Sequence, residues 1–450
     1  MKRLVIKNAT LVNEGSVFNS DLLIVNGRIE KIDKNIGIQG QRFDMIDAQG
    51  LYLIPGMIDD QVHFREPGLT HKASLNSESK AAVAGGITSF MDMPNTIPNT
   101  LSLDLLEEKY RLAQKSSLAN YSFFMGVNKS NLQEALRIDN ESVCGLSDDG
   151  LYFDNDEGIL ANYPEFLEKL FSRTNTLIAL HCEDDSLIKS AGNFYQHLYD
   201  GDIPVRCHPL IRSEKACVVA TKRVIELAEQ FNTRLHILHV STQSETGFFR
   251  NDLPIRDKRI TGEACVHHLW FSDQDYRSLG NKIKWNPSIK TQQDKEGLLD
   301  ALKKNKLDSI ATDHAPHLLA EKSGSYDNAK SGGPLVQHAL PLLLELYHQG
   351  KISLEDIVRK TSHNVAEIYR IRERGYIREG YYADLVMIDL NNPWKSTAEH
   401  LLYKCGWSPF ENYTFKSKIM KTFVNGNLVY TAGAFNESEK GKRLNFEKER

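Results

Sequence analysis

The sequence predicts an α/β fold: a closed barrel of parallel strands, with a small β-domain assembled from both chain ends. Three observations predict it. Short apolar runs alternate with helical patterns over the middle of the chain. Strand-like runs around Asn-Gly dipeptides occur at both termini. Histidines and aspartates fall at the ends of the apolar runs, where parallel barrels carry their functional groups.

The elements follow in chain order. LLIVNGRIEKI (22–32) has two apolar runs flanking Asn26-Gly27, a strong hairpin signal. The strand candidates of the middle are GMID (56–59), TSFMDMP (88–94), LIALHCE (177–183), LHILHVST (235–242) and SIATDHAPH (309–317). Helical patterns between and after them include SESKAAVAGG (77–86), LLDALKKNKL (298–307) and HALPLLLELYHQG (338–350). YYADLVMID (381–389) and TFVNGNLVY (422–430) return to strand, the second around Asn425-Gly426. A chain of 450 residues suits one large and one smaller domain. The boundaries read as 1–53 with 378–440 for the β-domain and 54–377 for the barrel.

Composition narrows the function. A net charge of -4 leaves no basic footprint for nucleic acid or an acidic membrane. The N-terminus alternates apolar and polar residues instead of forming a signal peptide core, and no apolar run approaches a membrane span. Cys144, Cys182, Cys207, Cys217, Cys265 and Cys405 form no C-x-x-C pair, which points to reduced thiols and a cytoplasmic protein.

Gln61 and His63 lie two apart on an extended run, so their side chains share a face. As an isolated pair they would read as polar caps of the barrel mouth. His181 and His239 end two further apolar runs, and three histidines at strand ends are harder to assign to packing. Imidazole with carboxylate is the usual donor mix of catalytic zinc. His236 should face the other side of its strand from His239 and reads as structural. Asp313 opens DHAPH, where a carboxylate at a strand end can ligate metal or move a proton. His317 follows a proline-fixed turn towards the same pocket. SDDG (147–150) is a common turn, but either Asp148 or Asp149 could bridge two metals. Arg65 offers a planar fork for a carboxylate, or a salt bridge to Glu66. Asn95 after Pro94 reads alone as a turn residue. EKSGSYDNAKSGGP (321–334) has the composition of a mobile loop over the pocket, or of a surface loop with no role.

Taken together, IPGMIDDQVHFREPG (54–68), AVAGGITSFMDMPNT (82–96), ALHCEDD (179–185), LHILHVST (235–242), HHLWFS (267–272), KWNPSIK (284–290), ATDHAPH (311–317) and SPFEN (408–412) resemble the dihydroorotases of the amidohydrolase superfamily. The resemblance runs almost end to end. It implies a (β/α)8 TIM-type barrel with a β-sandwich from both termini. It implies reversible cyclisation of N-carbamoyl-L-aspartate to L-dihydroorotate in pyrimidine synthesis, by metal-activated hydroxide with an aspartate proton shuttle. His63, His181 and His239 match metal histidines, and Asp313 matches the metal-bound, proton-moving aspartate. Arg65, Asn95 and His317 match the carboxylate clamp, Asn286 matches a substrate-contacting asparagine, and His268 lies near the pocket. A homodimer is a family expectation, with a small molecule as the substrate.

Two positions depart from the pattern. Gln61 replaces the first metal histidine, and an amide oxygen is a weaker zinc ligand. Ser147 stands where many members carry a carboxylated lysine. In a branch that uses T-D-D-G, the register makes Asp149 the bridge, with Asp148 as runner-up. The expectation is one tightly bound Zn2+ at Asp149, His181 and His239, and a weak or empty second position at Gln61, His63 and Asp313. The alternatives are another cyclic amidase, of allantoinase or hydantoinase type, and a metal-depleted, non-catalytic subunit that scaffolds a carbamoyltransferase.

Overall fold

The computed structural model describes residues 3–37, 43–151 and 160–448. Its centre is a ring of parallel strands: β1 (Met57–Val62), β2 (Ile87–Asp92), β3 (Asn120–Phe123, resuming as Met125–Gly126), β4 (Leu146–Ser147), β5 (Ile178–Leu180), β6 (Leu235–Ile237), β7 (Ile260–Cys265) and β8 (Ser309–Ala311). With β3 taken as one strand bent at Phe124, neighbours pair in chain order all the way round. The ring closes where Val62 bridges His314 and His63 N donates to His314 O at 2.8 Å.

A buried carboxylate reinforces the closure. Asp59 on β1 accepts from Thr312 N at 3.0 Å and from Thr312 Oγ1 at 2.6 Å. These bonds tie the first strand to the last just below the DHAPH stretch.

The crossover helices are locally specified. Ser74 caps helix Leu75–Ala84 reciprocally with Ser77, and the chain leaves that helix at Gly85. Ser213 caps Glu214–Phe231, which buries Ala216, Cys217, Ala220, Thr221, Val224, Ile225 and Ala228, a stripe of helical spacing. That helix stops at Asn232, a residue type that tolerates the left-handed φ of 52° found there. Thr291 and Asp294 form a capping box on Gln292–Lys303.

Both termini build one nine-stranded sheet among the described residues. Its central order runs Lys418–Val424, Leu385–Asp389, Tyr52–Pro55, Arg3–Asn13, Ser16–Val25. Asn26-Gly27 and Asn425-Gly426 both form hairpin turns with positive φ. The two turns also meet: a Cβ on Gly27 would lie 2.5 Å from Asn425 O, and one on Gly426 would lie 2.5 Å from Gly27 Cα. Glycine is needed there for the approach as well as for the turn. Beneath them, buried Asp384 pairs with Arg374 and accepts from Asn425 N at 2.7 Å and Asn120 Nδ2 at 3.2 Å, fastening the sheet to β3. No helix among the described residues is long and apolar enough to cross a membrane.

Asp59→Ala removes both bonds to Thr312 and strands a buried amide. The expected cost is about 2–4 kcal/mol, read as a lowered urea midpoint of the metal-free protein. An unchanged midpoint would mean that the closure does not depend on this carboxylate.

Candidate metal centre and substrate cavity

Asp149 sits at the centre of the barrel mouth. Its Oδ2 lies 3.2 Å from His63 Nε2 and accepts from Gln61 Nε2 at 3.0 Å. Its Oδ1 lies 3.8 Å from His181 Nδ1 and 3.9 Å from His239 Nε2. The two histidines touch each other through these nitrogens at 2.9 Å. Asp313 Oδ1 lies 3.2 Å from the far side of His63 Nε2. All of these side chains are buried. Asp148 points elsewhere: it accepts from Leu160 N and His181 N and so orders the backbone at the ends of β4 and β5. The structure thus brings Asp149, and not Asp148, among the imidazoles.

Strand ends alone do not aim these groups. His239, Asp313 and Arg65 have φ of 37°, 47° and 66°. Left-handed backbone at such residues costs on the order of 1–3 kcal/mol each and is found where surrounding contacts enforce it. At His239 one contact is Glu263 Oε1, which accepts the His239 amide at 3.1 Å.

Two donor sets in this centre have the composition and closeness of metal sites: Asp149 with His181 and His239, and His63 with Asp149 and Asp313. The second ring nitrogens are arranged to match. His181 Nε2 meets Glu183 Oε2 at 2.7 Å, and Arg212 holds that carboxylate at 2.6 Å. His63 Nδ1 meets Asn95 Oδ1 at 2.7 Å. Both acceptors fix the tautomer that leaves a lone pair facing Asp149. Gln61 is different. Its NH2 faces Asp149, while its Oε1 accepts from Cys265 Sγ at 3.4 Å, so its oxygen is turned away from the centre.

The electrostatics of the centre follow from these contacts. Burial would raise the Asp149 carboxyl, but His239 and His63 hold it well below the usual range. Burial would lower His63, yet Asp149 and Asp313 raise it to about 9. His181, buried beside His239, falls to about 4. Burial raises Asp313 against the pull of His63.

Above the centre opens a cavity of about 360 Å³, lined by His63, Asp149 and Asp313 at its floor and by Arg65, Asn95, Asn286 and His317 on its walls. Gln61, His181 and His239 lie beneath the floor. Arg65 does not pair with Glu66, whose carboxylate accepts from Leu75 N. It contacts Pro316 O and His317 Nε2, and Lys72 Nζ meets the other His317 nitrogen at 3.1 Å. Asn286 Oδ1 is buried without a hydrogen-bond partner among the described residues. His268 binds Pro287 O and does not line the cavity; its neighbour His267 reaches to 4.0 Å from Asp313. The 321–334 stretch forms one wall, anchored by Lys284 on Tyr326 O and Ala329 O and by Lys322 on Lys330 O and Gly332 O.

Sequence reasoning missed Lys72, Glu183, Arg212 and His267. Glu183 follows His181 by two residues, a signal that could have been read. Lys72 stands in a loop with no periodic cue.

The amidohydrolase family pattern matches residues 52–429. The dihydroorotase of Ehrlichia canis is 31% identical over 426 residues, 92% of each chain. That of Methanosphaera stadtmanae is 31% identical over 434 residues, covering 95% of this chain and 96% of its own. This chain belongs to the amidohydrolase family, among the dihydroorotases. Among solved structures, the L-hydantoinase of Arthrobacter aurescens superposes with a TM-score of 0.90 at 22% identity, over 97% of this chain and 98% of that one. The dihydropyrimidinase of Brevibacillus agri gives 0.86 at 23%, over 99% and 100%. Their likeness bears on the fold, a barrel with a termini-built β-domain.

Glu183→Gln keeps the shape but removes the charge that orients His181. Metal affinity at Asp149, His181 and His239 is expected to fall roughly 10–100-fold, measured by competition with a chromophoric chelator. Unaltered affinity would show that Glu183 serves only Arg212.

Proposed function

We propose that this chain interconverts L-dihydroorotate and N-carbamoyl-L-aspartate, as a metal-dependent cyclic amidohydrolase of pyrimidine synthesis in the cytoplasm. The observation that carries the reading is the cavity itself: it is lined by the cations Arg65 and Lys72, the second paired with Glu321 at 2.8 Å, as well as by Asp149 and Asp313. A substrate with one fixed carboxylate and one reacting carbonyl spans such a cavity. The six cysteines are free and buried, in keeping with a reducing compartment.

The donor set of Asp149, His181 and His239 suits zinc. When bound, the ion supplies Lewis acidity, polarising the carbonyl and acidifying water. The residues do the rest. Arg65, with Asn95 and His317, holds the α-carboxylate, and Asn286 contacts the substrate, so that the ring carbonyl is set over the floor. In ring opening, water adds to that carbonyl carbon and Asp313 takes its proton. The ring C–N bond then breaks, and Asp313 returns the proton to the departing nitrogen. In cyclisation the carbamoyl nitrogen attacks the side-chain carboxyl, and water leaves by the same proton route. A carboxyl raised by burial is suited to both halves of the exchange. Asn95 steadies His63 with its oxygen, leaving its NH2 for substrate.

One tightly held ion is the expected complement. For Gln61 to ligate through Oε1, its amide must turn over and give up both Asp149 and Cys265. His63 must also lose a proton before it can ligate. Since its folded pKa is raised to about 9, that proton is held at neutral pH and competes with the ion. Loading at His63, Asp149 and Asp313 is therefore expected to tighten between about pH 7 and about pH 9, with proton release. Calorimetric titration in buffers of different ionisation enthalpy reads both. Equal affinity at the two pH values would contradict a protonated His63.

Two variants test the roles. Asp313→Asn is expected to lower kcat by roughly 10²–10⁴-fold with little change in metal content; near-normal turnover would remove its proton role. Arg65→Leu is expected to raise KM for carbamoyl aspartate while leaving metal content unchanged. In a substrate panel, turnover of hydantoin or allantoin but not dihydroorotate would favour the other cyclic amidases.

A further inference from the structure

A second constellation lies deeper in the barrel, away from the cavity. Asp60 on β1, His236 on β6 and Glu263 on β7 are each fully buried, and they share no side chain with the donor sets around Asp149. His236 Nε2 lies 3.5 Å from Asp60 Oδ2 and 3.2 Å from Glu263 Oε2. Both Asp60 oxygens lack a hydrogen-bond partner among the described residues. So does the buried hydroxyl of Tyr369, whose ring packs edge-on against His236 at 5.9 Å and whose oxygen faces Asp60. Ile58, Ala179 and Leu238 pack in one cluster with Tyr369, while the buried carboxyls of Asp59 and Asp308 lie within electrostatic reach.

Hydrogen-bond accounting sharpens the anomaly. His236 Nδ1 meets Thr261 Oγ1 at 2.8 Å. With the Thr261 hydroxyl proton on Leu235 O, a long contact at 3.4 Å, His236 Nδ1–H donates to Thr261; with that proton on His236 Nδ1, Nε2–H donates to Glu263 Oε2 at 3.2 Å instead. In the first arrangement Nε2 carries a lone pair that faces two carboxylates. Three electron-rich atoms then meet in a buried space, and a cation or shared protons must lie between them.

We propose that Asp60, His236 and Glu263 form a second, enclosed cation site in the barrel interior, taking a divalent transition ion of the zinc type. Four features support an ion over protons alone. The His236 distances match the edge of a tetrahedron around an ion with ligands at roughly 2.0–2.1 Å, which is about 3.3 Å. One divalent charge cancels the two carboxylates of the cluster. The Nδ1–H to Thr261 bond is the outer contact that a ligating imidazole ordinarily makes. Tyr369 offers a fourth oxygen, directed at Asp60. The role is structural. Glu263 Oε1 holds the His239 amide, so an ion on Oε2 would brace the left-handed turn that aims His239 at Asp149.

The direct test is diffraction from crystals of the full chain grown with zinc, with anomalous maps on both sides of the zinc edge. The expected result is a peak bounded by Asp60, His236 and Glu263, separate from any peak at Asp149. A peak at Asp149 alone would overturn this inference and leave the proposed function standing. A peak in the deeper cluster alone would do the reverse. Metal analysis gives a second measurement. A His181→Ala, Asp149→Ala variant is expected to keep one zinc per chain through chelator dialysis, and adding Asp60→Asn and Glu263→Gln should remove it. Identical zinc content with and without the added pair would show that the cluster holds protons only.

Discussion

The structure depends most on one buried anion. Asp149 is a carboxylate surrounded by three imidazoles, from β1, β5 and β6 of the ring, with almost no solvent access. A charge in such a place is stable only with partners of opposite sign, and breaking one partner costs far more than the pair itself contributes. The partners come from strands distant in sequence. The centre therefore exists only when the ring is closed, and closure at Asp59 and Thr312 sits directly beneath it.

The surrounding layers follow from that requirement. Two of the imidazoles have a fixed tautomer, because Glu183 and Asn95 occupy the second ring nitrogens of His181 and His63, while His239 Nδ1 has no partner among the described residues. Glu183 needs its own counter-charge, which Arg212 supplies. Strained backbone at His239 and Asp313 is tolerated because these contacts, and Glu263 beneath, leave no other direction for the side chains. Gln61 fits the same pattern in an altered form. It stabilises Asp149 as a hydrogen-bond donor, with its own oxygen turned towards Cys265.

Much of this was legible in the sequence, for physical reasons. Asn26-Gly27 and Asn425-Gly426 announce their hairpins because few other residues adopt positive φ twice in succession. The strand-end histidines stand out because an ionisable group after an apolar run is costly unless it has a partner. Alternation correctly turned His236 away from His239, though not towards a second cluster. What stayed hidden depends on distance across the ring. β4 is two residues long and has no period to read. β7 was missed because TGEACVHH mixes polar and small residues that the barrel interior, unusually, accommodates. Lys72, Asp60 and Glu263 gain their meaning from neighbours 245, 176 and 27 residues away: His317 for the first, His236 for the others. The choice between Asp148 and Asp149 turned on which carboxylate the β4 end directs inwards, a matter of backbone geometry that a turn motif leaves open.

The central claim, a working one-metal centre built around Asp149 despite Gln61, meets its most direct test in a paired measurement. Zinc content of purified protein would be determined alongside carbamoyl aspartate cyclisation, before chelation, after chelation and after zinc is restored. The expected result is turnover that disappears with the ion at Asp149 and returns with it. Absence of turnover in zinc-loaded protein would contradict the account and bring forward a non-catalytic subunit that keeps the fold and has lost the chemistry.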